Sequence, residues 1–386
     1  MRRAAALLAL LCLAVAAAPA AAASSARVDV RVPAGWGSTL QVGVADQPGG
    51  AASVRAKGRV GARYQYLTGG VDTRSGWRTW NEDGTFASRY VAESAKAGVT
   101  PVLTYYQLLP SRPDRSGSEA ERDFANLADP ALMRAYFADL RLALQRAAEG
   151  GHRVVLHVEP DLWGYAQQAH GDDAAKTRAA VASSGDPELA GLPNDLAGFA
   201  QAVVRLRDKH APKALVAWHL STWGTNRSTT ADDPSTAQLD ALAARSATFA
   251  RSLGARFDLI FNDVADRDDG FRAKVLKERR IVHHWGRGDV ARHLRWVAGV
   301  TRATGTPMVL WQLPLGNPRL PNTWKRFRDN RVDLLLGSRT NLRRARDAGV
   351  AGLLFGGGAD GCTTAQTDGG RFFRLARAYA RTPLGL

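Results

Sequence analysis

The strongest constraint in this chain is an alternation. Eight short apolar runs recur along it, at residues 40–45, 64–67, 101–106, 154–157, 214–219, 257–261, 307–312 and 351–355. Each is four to six residues long, the length of a strand buried on both faces in a parallel sheet. Between most of them lie segments of helical period, at residues 86–97, 131–148, 195–209, 237–253, 290–303 and 341–348, with a closing helix at 371–380. Several of these begin at capping residues, as in Asp129-Pro130, Asn194-Asp195 and Ser235-Thr236. Several end in glycine just before the next strand, at Gly98, Gly150, Gly254 and Gly349. Strand and helix alternating eight times imply an α/β fold, a (β/α)8 barrel of the TIM type. A doubly wound open sheet is disfavoured. No strand runs into a glycine-rich turn opening a helix, and Gly356-Gly357-Gly358 comes too late. Only 18 residues separate the first two strands, so that crossover is minimal or the first pair is mis-assigned, which leaves room for distortion at the first βα unit.

The N-terminus reads as a leader. Arg2-Arg3, an apolar stretch from Ala4 to Ala17 and the small residues Ala21-Ala22-Ala23 form a secretory signal peptide over residues 1–23. Residues 24–386 then make one catalytic barrel, exported to the cell exterior or periplasm. Cys12 lies inside the leader, so Cys362 has no partner for a disulfide. No later segment is long and apolar enough for membrane insertion. The formal charge of +16 raises nucleic acid as a partner. The arginines are dispersed, however, and no nucleic-acid-binding motif accompanies them, so none is expected. A basic exported protein is suited to staying near anionic wall polymer. A monomer is expected.

Reactive groups in such a barrel come from the carboxyl ends of the strands. The most informative of these is His157-Val158-Glu159-Pro160-Asp161-Leu162-Trp163. Period-two alternation places Val155, His157 and Glu159 on the inner face, with Glu159 in the barrel mouth and its pKa raised by burial. Asp161 lies nearer solvent, as the acid itself or its modulator. Cleaving a sugar chain needs a second carboxylate, and Asp263 is the first choice, with Asn262 beside it for a sugar hydroxyl. Asp72 is the other contender. Asp266, Asp268 and Asp269 read as a solvated turn or a cation site. Indole and phenol rings stack on the C–H faces of pyranoses. Trp163, Trp218, Trp223 and Trp311 would line subsites, joined by Tyr66, Tyr165, His219 and Gln312. The pair His283-His284 lacks the spacing of a zinc site. No metal and no cofactor are expected.

These residues resemble the (β/α)8-barrel glycoside hydrolases. In the retaining barrel clan the acid/base is a glutamate ending strand four before a proline, matched here by Glu159-Pro160. Val158 stands where that clan has asparagine, and Gln312 stands where its strand-seven nucleophile would be. The segment Glu159-Pro160-Asp161 is also similar to family 6 glycoside hydrolases, whose resemblance implies the aspartate as general acid. The expected function is a secreted glycoside hydrolase cleaving a polysaccharide with a carboxylate pair. Two alternatives stay open. One is a non-catalytic barrel binding a cell-envelope glycan or protein; the other is a metal-dependent hydrolase using His157, Glu159 and Asp263.

Overall fold

The structure is a computed structural model that describes residues 27–265, 267–278 and 284–386. The expected signal peptide, Cys12, Asp266 and His283 lie outside the described residues.

Eight parallel strands close into a barrel in sequence order. They are β1 (Gln41–Ala45), β2 (Ala62–Thr68), β3 (Thr100–Tyr106), β4 (Val155–Val158), β5 (Leu215–His219), β6 (Leu259–Asp263), β7 (Met308–Leu313) and β8 (Val350–Phe355). The helices are α1 (Ala51–Gly58), α2 (Thr85–Lys96), α3 (Glu119–Leu127), α4 (Pro130–Ala148), α5 (Leu162–His170), α6 (Leu196–His210), α7 (Thr236–Ser252), α8 (Asp269–Lys274), α9 (Arg287–Thr304), α10 (Arg339–Asp347) and α11 (Arg371–Tyr379). Eight apolar runs therefore became eight strands. The capping residues act as expected: the Asp129 side chain accepts from Ala131 N and Leu132 N, and Ser235 forms a capping box with Gln238. The first crossover is minimal, as one of the two readings had it, and the first βα unit is not distorted. The eight-residue α1 suffices as a crossover, and β1 pairs with β2 in regular parallel register.

Alternation along the strands separates two cores. Inward side chains such as Val155, Ala217, Phe261 and Val309 fill the barrel, while outward ones such as Leu156, Trp218, Ile260 and Leu310 pack under the helices. Trp36 plugs the end away from the site. Its Nε1 donates to Ala351 O at 2.9 Å, and its ring lies so close to Gly352 that a Cβ there would sit 2.6 Å from Cζ2. Arg63, fully buried on the outer side of β2, pairs with Asp46 at 2.7 Å and Glu93 at 3.0 Å and stacks on Tyr90. Asp46, at the end of β1, is thereby committed to the scaffold.

Two strand ends break the alternation. Glu159 and Gln312 are non-glycine residues with φ of +46° and +50°, the left-handed region that costs a side chain energy. At β7 the strain coincides with a register shift against β8 between Leu310 and Leu313. These twists decide which side chains reach the barrel mouth.

Candidate active site

The C-terminal ends of the strands surround a cleft of about 630 Å³. Its floor and walls carry Tyr66, Tyr106, Asp161, Tyr165, His219, Trp223, Asp263, Trp311 and Gln312. Asp161 and Asp263, from β4 and β6, thus open into one space. Glu159 does not open into it. The left-handed twist turns its side chain behind the wall, where Oε1 accepts from Gln107 N at 3.0 Å and Leu108 N at 3.1 Å. It is only 1% exposed, and burial pushes its pKa up to about 8 despite those two donors and the nearby Tyr136 hydroxyl. Asp161 takes the place in the mouth that alternation would assign to Glu159. It occupies the N-cap of α5 without spending its side chain on the cap.

The surroundings of the two cleft carboxyls shift their pKa values in opposite directions. Burial raises the pKa of Asp161, opposed by the Tyr106 hydroxyl and by His219, and supported by the charges of Asp263 and Glu119. Burial acts on Asp263 as well, but hydrogen bonds from His219 and Ser221 outweigh it and hold that carboxyl below its ordinary value. The contacts are His219 Nε2 at 2.9 Å and Ser221 Oγ at 2.6 Å, both to Oδ1. Behind His219 runs a buried chain. His157 Nε2 lies 3.1 Å from His219 Nδ1, and Thr104 Oγ1 lies 3.4 Å from His157 Nδ1. A carboxylate only accepts, so His219 Nε2 donates to Asp263 Oδ1 in preference to accepting from Asp263 N at 3.2 Å, and with one proton on each ring His219 Nδ1 accepts from His157 Nε2–H. His157 Nδ1 is left to accept from Thr104. Burial holds the His157 pKa well below 6.5, so this ring is neutral, clamped against Phe261 at 4.3 Å.

The aromatic residues sort by parity. Trp311 faces inward, with its ring 4.8 Å from His157 and 5.9 Å from Tyr66. Tyr165 and Trp223 pack together at 5.2 Å on the opposite wall, and Tyr165 donates to Glu119. Gln312 is twisted into the cleft and donates to the Tyr66 hydroxyl. Trp163 and Trp218 do not reach the cleft. Trp218 lies on the outward face of β5, Trp163 enters α5 on its buried side, and the two pack edge to face at 5.8 Å in the helix layer. Asn262 also faces outward, donating to Leu220 O at 2.7 Å. Asp72 stands apart, paired with Arg112 at 3.2 Å.

The acidic segment after Asp263 is not a solvated turn where it is described. Asp268 is buried and accepts from Gly316 N and Thr363 N, each at 2.8 Å, with its pKa pushed by burial to about 7. Asp269 binds Arg331 and His284. Among the described residues no three His, Cys, Asp or Glu side chains converge as metal ligands. His157, Glu159 and Asp263 serve three different sets of contacts. Arg267 and Arg272, which sequence reasoning did not select, also line the cleft. Their signal was only proximity to the end of β6.

No protein-family model matches the chain, and a search of curated proteins finds no match. Solved structures do show similarity. An endo-β-1,4-mannanase of glycoside hydrolase family 26 from Cellulomonas fimi superposes with a TM-score of 0.55 at 14% identity. The match covers 94% of this chain and 77% of the mannanase. An engineered protein gives 0.52 at 13% identity over 90% of this chain and 70% of its own. An exo-β-1,4-mannosidase from Opitutaceae bacterium strain TAV5 gives 0.50 at 12% identity over 92% of this chain and 62% of its own. These matches do not support the likeness to family 6, which rests on no more than the three residues Glu159-Pro160-Asp161. What the chain shares with the matched structures is the closed (β/α)8 barrel.

Proposed function

We propose that the chain is a secreted glycoside hydrolase that cleaves a polysaccharide, with Asp161 as general acid and Asp263 as its carboxylate partner. The observation that carries this reading is one aromatic cleft holding two carboxyls whose surroundings push their pKa values apart. Asp161 keeps its proton in a pH range where Asp263 is already charged. The acid passes that proton to the glycosidic oxygen as the bond to the anomeric carbon breaks. Asp263 has Oδ1 occupied by two donors, leaving Oδ2 for the anomeric carbon or for a water. Trp311, Tyr66, Trp223 and Tyr165 supply faces for the sugar rings.

The mannanase and mannosidase of similar fold make β-mannan the first substrate to try, beside xylan and soluble cellulose. Release of reducing ends by the wild-type protein, and its loss in Asp161→Asn and Asp263→Asn, is expected. Wild-type rates in both variants would sink the reading. The anomer first formed, read by NMR, assigns the role of Asp263: retention makes it the nucleophile, inversion makes it the base. Gln312, in place of a strand-seven carboxylate, favours the second reading of a silent glycan-binding barrel. That reading requires glycan binding with no product from any polymer.

A further inference from the structure

We infer that Trp324 is a distal sugar-stacking platform that extends the cleft, so that the occupant is a pyranose chain several units long. This rests on the hydrolase reading above for the cleft but on separate observations for the platform. Trp324 is 54% exposed, the most exposed of the large apolar side chains among the described residues. It sits on the loop after β7, at the same barrel end as the cleft.

Exposure alone would mean little; the bracing gives it meaning. The loop closes a tight turn in which Thr323 and Arg326 bridge, with Arg326 N donating to Thr323 O at 2.8 Å. Lys325 N donates to Gly361 O at 2.8 Å and ties the turn to the loop after β8. The indole lies against that backbone. A Cβ on Gly361 would meet Cη2, Cζ2 and Cζ3 at 2.3–2.5 Å, nearly equal distances that mark a ring lying face-on to the Cα. Gly361 has φ of +87°, so the position suits glycine twice over. Phe271 supports the ring at 6.3 Å and is itself packed on buried Phe327. One face of the indole is thus covered by Gly361, while more than half of the residue stays open to solvent.

The residues that support the indole adjoin cleft residues along the chain. Phe271 immediately precedes Arg272, and Gly361 is three residues past Gly358; Arg272 and Gly358 both line the cleft. An indole held rigid at low conformational cost matches the apolar face of a β-linked pyranose. The cleft binds the unit being cleaved, and Trp324 binds a unit further along the same chain.

The test separates binding from chemistry. Glucomannan, xylan, hydroxyethyl cellulose and polygalacturonate are cast into native gels, and wild-type, Asp161→Asn, Trp324→Ala and Gly361→Ala proteins are run through each. At least one polymer is expected to retard the wild-type and Asp161→Asn proteins alike. Its oligosaccharides, titrated by calorimetry against Asp161→Asn with and without Trp324→Ala, give the length dependence. Removing Trp324 should weaken hexasaccharide binding roughly tenfold and leave trisaccharide binding unchanged, and Gly361→Ala should reproduce part of the loss. Equal affinity for the hexasaccharide in both backgrounds, equal losses for both lengths, or no retardation by any polymer overturns the inference. Hydrolysis surviving in Asp161→Asn with intact length dependence would overturn the catalytic assignment and leave the platform standing.

Discussion

Asp161 and Asp263 are the same residue type in one cleft, and their hydrogen bonds set them apart. Asp263 accepts from both His219 and Ser221, while Asp161, likewise half-buried, has fewer donors to offset its burial. Activity should follow a bell-shaped pH curve. With Asp161 as the proposed acid and Asp263 as its partner, it rises with pH as Asp263 ionises, below its ordinary 3.8, and falls as Asp161, above its ordinary 3.8, loses its proton. Ser221→Ala removes one donor to Asp263 and should move the acidic limb of kcat/KM to higher pH, leaving the basic limb in place. Asp161→Asn should cost roughly 10²–10⁴ in kcat. Glu159 carries a different consequence. Its folded pKa of about 8 lies above the ordinary 4.5, so the native state holds a proton that the unfolded chain gives up. That contribution to stability is complete below 4.5 and is lost as pH rises towards 8. Denaturant unfolding across this range should show a decline on the order of a few kcal/mol. Glu159→Gln keeps the oxygen that Gln107 and Leu108 donate to, and should flatten the slope.

At the scale of elements, the β4–α5 turn governs the site. The left-handed Glu159 lets β4 end with one carboxyl behind the wall and the next, Asp161, at the helix start. Pro160 between them carries no N–H and imposes no further strand pairing. The opposite wall depends on α5 as well. Gly164 lies directly beneath the Trp223 ring, where a Cβ would fall 2.4–2.9 Å from three ring atoms. Gly164→Ala should therefore displace Trp223 and raise KM, on the order of tenfold for a mispositioned substrate. Unchanged steady-state kinetics in this variant would show that Trp223 does not touch the substrate.

Across the whole molecule, the barrel is closed at one end and opens into the cleft at the other. Trp36 fills the closed end and is 1% exposed. Trp36→Ala should cost about 3–5 kcal/mol, as expected for a fully buried tryptophan, read as a lower thermal midpoint. Because the cleft lies at the far end, kcat below the midpoint should change little.

What the sequence by itself determined was the layer plan. Short buried strands, capped amphipathic helices and terminal glycines are local signals, and a parallel strand buried on both faces has few other architectures open to it. Asp161, Asp263, His219, Tyr66, Tyr165, Trp223, Trp311 and Gln312 were legible because strand ends of a barrel converge on one mouth. Trp163, Trp218 and Asn262 show the limit of that reasoning. Strand parity, not proximity to a strand end, decides inside from outside, and parity failed just where Glu159 and Gln312 adopt positive φ. Only the tertiary structure decided which carboxyl faces the cleft, how the His157–His219 chain biases Asp263, and that Gly361 braces Trp324. These properties depend on groups far apart in sequence, and on backbone strain that long-range packing alone can hold.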